Sequence, residues 1–428
     1  MTTLRVRGGR PLHGTVRVPG DKSISHRALM LGALAEGVTR VRGWLAGGDT
    51  LATLGVVRAL GVDVERAGST LAVHGGRLRA PGGPLDCVNS GTTMRLMAGL
   101  LAGQPFASVL DGSPQLRKRP MRRVVEPLRA MGADVADTDG RAPLYVKPTA
   151  LRGVRYELPV ASAQVKSALL LAGLCAEGET VVVQPGPARD HTERMLRAMG
   201  ADIAVDGGAV RLRPSARLAP LDLDVPGDFS SAAFLIVAGL LAPGADVTIE
   251  GVNLNPTRTG LLDVLARMGG DVGVESQTEA GGEPAGTVRA RAGALLATAV
   301  GGDEVVRLID EFPILGVAAT QARGVTEVRD AAELRVKEVD RIAMLAGELR
   351  KLGAQVEERP DGFAIEGPRR LRGAEVDSHG DHRLAMSLAV AGLIAEGETV
   401  VRDAACIADS FPGFVELLVA LGAEMNRE

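Results

Sequence analysis

One phrase, a helix end running into a strand, is written six times along this chain: RALGVDV (58–64), RAMGADV (129–135), RAMGADI (197–203), ARMGGDV (267–273), RKLGAQV (350–356) and VALGAEM (419–425). Its pivotal glycines, Gly61, Gly132, Gly200, Gly269, Gly353 and Gly422, are spaced 71, 68, 69, 84 and 69 residues apart. Each follows an amphipathic stretch and precedes alternating apolar residues, the pattern of a helix C′ glycine leading into a strand. A second phrase interleaves with the first, also in six copies, in which a small-residue-rich helix passes through a glycine into another strand. GALAEGVTRV (32–41), GLCAEGETVVV (173–183) and GLIAEGETVV (392–401) are examples. The unit is longer and richer in strands than an ordinary solenoid repeat.

A chain of 428 residues exceeds what one hydrophobic core serves, and six α/β units divide into two domains of three. The stretch VPGDKS (18–23) returns as VPGDFS (225–230), 207 positions on, or three repeats. A Pro–Gly turn at both places marks where the chain enters each half. Residues 14–226 are expected to form one domain, and 1–13 with 227–428 the other, with hinges near 13–21 and 224–228.

Aromatic residues make up 2% of the chain and the net charge is −3. Neither a base-stacking platform nor a polyanion-attracting field is available, so no nucleic-acid partner is expected. Cys87, Cys175 and Cys406 lie far apart in apolar runs without metal spacing, so they read as buried reduced thiols. No segment has the apolar length of a signal peptide or membrane span, which predicts a cytoplasmic protein without a membrane partner.

The six alanine-rich helices open on polar turns: PGDKSISHR, NSGTTMR, ASAQVKS, PGDFSSA, DEFPILG and GDHRLAM. Helix N-termini attract anions, and several of these openings add a cation: Lys22, Arg27, Arg95, Lys166, His382 and Arg383. Each has a plain alternative, since Ser23, Ser90, Ser162 and Ser230 suit N-caps. A lysine at a helix start opposes the dipole, however, and such a local inconsistency marks function. Phe229 obeys the rule in the second copy, so an anion is expected near Lys22. The basic run QLRKRPMRR (115–123) reads alone as a solvated face, and Lys337, Glu338 and Arg341 as a helical salt-bridge ladder.

Together these motifs, with RDHTERML, IDEFPILGVAA and LRVKEVDR in the same order, resemble the 5-enolpyruvylshikimate-3-phosphate (EPSP) synthase family from about residue 4 to the last repeat. The resemblance implies an α/β fold of two similar domains, each of three βαβαββ repeats, an inside-out α/β barrel. It also implies transfer of the enolpyruvyl group of phosphoenolpyruvate to the 5-hydroxyl of shikimate 3-phosphate, by a monomer with neither metal nor cofactor. The first domain would mainly bind shikimate 3-phosphate and the second phosphoenolpyruvate. By the same resemblance, Lys22 lies between the substrates, and Ser23 with Arg27 holds the shikimate carboxylate. Ser162, Ala163, Gln164, Arg189 and Lys337 contact shikimate 3-phosphate. Gly91, Arg119, Gln164, Arg341, His382 and Arg383 surround phosphoenolpyruvate. Asp310 would be the base at the 5-hydroxyl, and Glu338 would move the proton at C3. Cations around Asp310 favour its ionised form.

The sequence departs from the family at Ala163 and Ala188, where many members carry serine, and in ADSFPGF, which lacks a lysine usual before the final Phe–Pro. The related UDP-N-acetylglucosamine enolpyruvyl transferases carry a reactive cysteine in the loop that here reads LDGSPQLRKRP, without one.

Overall fold

The computed structural model describes residues 2–215 and 217–428. Its contacts divide the chain into two compact units. One comprises Met1–Pro19, Pro226–Glu279 and Pro284–Glu428, and the other Gly20–Val225 with Ala280–Glu283. They are called here the 226–428 unit and the 20–225 unit.

Each unit holds three sheets with one strand order. In the second repeat, Leu85–Asp86 runs parallel to Ser108–Asp111, which pairs antiparallel with Arg141–Lys147, which pairs antiparallel with Asp134–Thr138. The third repeat builds its sheet in the same way from 155–157, 180–183, 209–212 and 203–206. A parallel pair needs a crossover connection, and a buried helix supplies it in the second, third, fifth and sixth repeats. A second, amphipathic helix connects to the closing hairpin, giving the βαβαββ order.

Three sheets are completed by strands from far along the chain. The first repeat takes its opening strand from Asp222–Asp224, parallel to Val38–Arg42. The fourth takes His13–Val16, parallel to Asp246–Asn253. The sixth closes on Leu4–Arg7, between Glu398–Arg402 and Glu424–Arg427. Residues up to Pro19, the strand His13–Val16 among them, group with the 226–428 unit, and the crossover follows them. That four-residue strand is largely exposed, so it carries no hydrophobic alternation to announce itself.

The pivotal glycines all carry φ between 77° and 113°, one position past a helix C-cap, as C′ glycines should. The anomalous spacing of 84 is accounted for by the long strands Asp271–Ala280 and Glu283–Arg291 and the extra helix Glu304–Arg307. The second phrase fails once: Gly324 lies inside the strand Ala322–Val328, which follows its helix without a turn.

The inner helices Lys22–Leu34, Gly91–Ala102, Ala163–Gly173, Phe229–Leu241, Phe312–Gln321 and His382–Ile394 are apolar on every side and buried. Small residues let them approach closely. A Cβ added at Gly99 would lie 2.1 Å from the Ala168 carbonyl oxygen. The outer helices bury one face only, with Val124, Val125 and Leu128 as the inward side of Arg122–Ala130. Of the cysteines only Cys87 is buried; Cys406 is half-buried and Cys175 exposed, which corrects the expectation for those two. Burial still pushes the Cys406 thiol up to about 12, so it stays protonated and unreactive. Among the described residues, no helix is long and apolar enough to cross a membrane.

Candidate active site

In the 20–225 unit the first inner helix opens on Asp21, whose carboxylate accepts the Ile24 N–H at 3.0 Å. The cap offsets the dipole that Lys22, the next residue, opposes. Lys22 Nζ lies 2.9 Å from Asp49 Oδ2, with both side chains about 15% exposed. One turn on, Arg27 is buried and makes three bonds. Its Nε donates to Thr192 Oγ1 at 2.7 Å, its NH2 to Ser167 Oγ at 2.7 Å and its NH1 to the Ser23 carbonyl at 3.0 Å. Burial, and more weakly the nearby charge of Arg189, lowers its pKa to about 10, so it remains a cation at neutral pH. His26, behind them, donates to or accepts from Thr53 Oγ1 at 2.7 Å, and burial lowers its pKa to about 3, so its ring is neutral.

The second and third inner helices join this group through their first turns. Ser90 caps Gly91–Ala102, and Ser162 caps Ala163–Gly173, so both serines fill the structural role that sequence alone allowed. Gln164 Nε2 donates to Thr92 Oγ1 at 2.9 Å, and Gln164 Oε1 accepts from Arg95 at 2.8 Å. Arg95 is fully buried. A Cβ on Gly91 would lie 2.8 Å from guanidinium atoms of both Arg95 and Arg119. Glycine therefore lets two arginines approach the helix N-terminus. The basic run is sorted accordingly: Arg119 is half-buried against Gly91, while Lys118 is exposed and Arg117 pairs with Asp111. Lys166 leaves the candidate cations, because its Nζ is buried 2.6 Å from Glu193.

In the 226–428 unit the corresponding cluster centres on Arg341, which is 2% exposed. Its Nε donates to Asp381 Oδ2 at 2.8 Å, its NH2 to Glu338 Oε2 at 2.6 Å and its NH1 to Asp310 Oδ1 at 3.4 Å. Burial opposes its charge, but the three carboxylates win and hold its pKa above the usual arginine value. Arg383 approaches the same Asp310 carboxylate at 3.3 Å, so that group lies between two guanidiniums. Asp381 caps His382–Ile394 by accepting the Arg383 and Leu384 N–H groups, which places His382 at the first helical position. The expected 337–341 helical ladder does not form. Asp340 is the N-cap, so Lys337 and Glu338 precede the helix Arg341–Lys351 and Lys337 turns back to Glu333 at 3.4 Å.

The cation missing from VPGDFS is supplied from elsewhere. Arg258, 1% exposed, lies 3.2 Å from Asp228, the capping aspartate of the second copy. The two copies differ in where the positive charge is mounted.

A family model described as EPSP synthase (3-phosphoshikimate 1-carboxyvinyltransferase) matches residues 6–418. The chain belongs to the EPSP synthase family. It is an enolpyruvyl transferase of aromatic amino acid biosynthesis, acting between phosphoenolpyruvate and shikimate 3-phosphate. A 3-phosphoshikimate 1-carboxyvinyltransferase of Citrifermentans bemidjiense is 53% identical over 423 residues, covering 98% of this chain and 99% of the relative. Its namesake from Gloeobacter violaceus is 55% identical over 416 residues and 96% of each chain. The solved EPSP synthase of Acinetobacter baumannii superposes with a TM-score of 0.89 at 43% identity, covering all of both chains. The enolpyruvyl transferase NikO of Streptomyces tendae, at 22% identity and TM-score 0.83, shares the fold.

Two clusters of potential metal ligands occur among the described residues, Asp63–Glu65–His74 and Asp190–His191–Glu283. In the second, His191 Nδ1 lies 2.7 Å from Glu283, and Arg194 stands 2.9 Å from Asp190 and 3.7 Å from Glu283. The positive charge such a cluster needs is already present as a guanidinium.

Proposed function

We propose that the two clusters divide the labour of enolpyruvyl transfer along the lines of the family. Ser23 and Arg27 hold the carboxylate of shikimate 3-phosphate. Its phosphate is held by Ser162, the Ala163 backbone, Gln164 and Arg189, and Lys337 approaches the same substrate. Gly91, Arg119, Arg341, His382 and Arg383 take the phosphate and carboxylate of phosphoenolpyruvate, with Gln164 beside them and Lys22 serving both substrates. The domain built on residues 20–225 would then mainly hold shikimate 3-phosphate, and the other mainly phosphoenolpyruvate.

One observation carries this reading. Arg341 and Arg383, both nearly fully buried, lie in the first turns of helices, where the dipole disfavours cations, and Arg27 is buried in the second turn of its own. Buried guanidiniums in such positions suit multiply charged, planar anions, to which they donate in pairs.

The chemistry follows. Asp310, kept ionised between two guanidiniums, accepts the proton of the 5-hydroxyl as its oxygen bonds to C2 of phosphoenolpyruvate. Glu338 delivers a proton to C3, and the double bond becomes single. The tetrahedral intermediate then loses a C3 proton and inorganic phosphate, restoring the double bond in the enol ether. Lys22, Arg119 and Arg341 neutralise the charge that gathers on the leaving phosphate. The stretch ADSFPGF has no lysine shortly before its Phe–Pro, so the leaving phosphate meets one cation fewer. The protein would act as a cytoplasmic monomer.

Purified protein should release phosphate from phosphoenolpyruvate only when shikimate 3-phosphate is added. Release with UDP-N-acetylglucosamine in its place would overturn the substrate assignment.

A further inference from the structure

The second VPGD copy is tied to Asp310 by a buried polar chain that the reaction itself does not use. Arg258 NH2 donates to Ser230 Oγ at 2.9 Å, and Ser230 Oγ donates in turn to Glu311 Oε1. Asp228 closes the group: its Oδ1 accepts the Ser230 N–H at 2.7 Å, the Ser231 N–H at 3.2 Å and Arg258 NH2 at 3.2 Å. Arg258 and Glu311 are each 1% exposed, Ser230 4% and Asp228 5%. Burying so many polar and charged groups is costly and would be cheaper as an apolar core, which makes a specifying role the stronger reading.

Glu311 is the N-cap residue of Phe312–Gln321, and its carbonyl accepts the Leu315 N–H at 2.9 Å. Its side chain does not cap that helix. It points instead to Ser230, in the first turn of the neighbouring inner helix. Asp310 is the preceding residue, so anchoring Glu311 fixes the backbone from which Asp310 meets Arg341 and Arg383. Phe312, on the other side, is packed edge-on against Phe363 with ring centroids 6.5 Å apart. The turn that carries Asp310 is therefore pinned by a polar anchor and an aromatic one.

We propose that Glu311 is a positioning residue for Asp310, held in place by Ser230 and Arg258. The inference rests on the reading of Asp310 as the base. A carboxylate displaced by about 1 Å loses much of its efficiency as a base. Arg341 keeps its anchor on Asp381, whereas the Arg383 guanidinium leans on the Asp310 carboxylate and carbonyl and would follow it.

The test compares steady-state kinetics and melting temperatures of Asp310→Asn, Glu311→Ala, Glu311→Gln and Ser230→Ala in the full chain. Glu311→Ala should lower kcat about tenfold or more while KM for shikimate 3-phosphate stays within about twofold. Glu311→Gln keeps an oxygen to accept from Ser230 and should recover most of that loss. Ser230→Ala should lower kcat in the same direction by less. A wild-type kcat in Glu311→Ala beside an inactive Asp310→Asn would overturn the proposal. So would a kcat loss in Glu311→Gln equal to that of Glu311→Ala, with both melting early, since it would show a stability role only. Full activity in Asp310→Asn would instead remove the reading of Asp310 on which the proposal stands.

Discussion

Replacing Arg341 by methionine should cost about 3–5 kcal/mol of stability and abolish turnover, because it strips the shared cation from buried Asp381 and from Asp310 and Glu338. Methionine fills much of the arginine volume, so the loss is one of charge balance more than of packing. Arg341→Met combined with Asp381→Asn separates the two effects. Asparagine can still accept the Arg383 and Leu384 N–H groups as an N-cap, and the uncompensated buried charge is gone. The double variant should regain more than half of the lost stability in a thermal melt and still release no phosphate. Recovered turnover in it would show that Arg341 serves the fold alone.

The second large effect falls on Lys22. Lys22→Ala should lower kcat by at least about 10²-fold, as expected for a lost charge donor at a developing anion. Its thermal transition should move little. The ion pair with Asp49 keeps some contact with solvent, which limits what its loss costs. Against that loss, removing a cation from the first helical position relieves its conflict with the dipole, and Asp49 then faces an N-terminus that favours it. Phosphate release and a melt on the same preparation read both predictions. A variant that unfolds early would show the lysine to be structural; one that keeps its turnover would end its catalytic role.

These two residues mark what could be read in the sequence and what could not. Lys22 was visible because it breaks a local rule at a helix start, and the same break is absent at Phe229. Its partner Asp49 was not, since nothing in GGDT signals a contact across 27 residues. Arg341 was visible only through family likeness; its spacing from Lys337 suggested a surface ladder, and the N-cap Asp340 prevents that ladder from forming. Arg95 stands out in the sequence only as a cation near a helix start, although an arginine on a helix otherwise apolar all round is a signal of burial with a polar partner.

The architecture was more legible than the site because it is written in local chemistry. A C′ glycine leaves the same mark in all six repeats. Strand exchange leaves none: Leu4–Arg7, His13–Val16 and Asp222–Asp224 complete sheets whose other strands lie far off in sequence. Arg258 and Glu311 were equally silent, since each is an ordinary polar residue until the fold buries it.

The most direct test of the site assignment is a crystal structure of Asp310→Asn with shikimate 3-phosphate and phosphoenolpyruvate bound. It should show Arg27 and Ser23 on the shikimate carboxylate and Arg189 with Ser162 on its phosphate. It should also show Arg119, Arg341 and Arg383 on phosphoenolpyruvate, and the substituted side chain beside the 5-hydroxyl. Either substrate seated away from these residues, or a 5-hydroxyl facing some other base, would contradict the account.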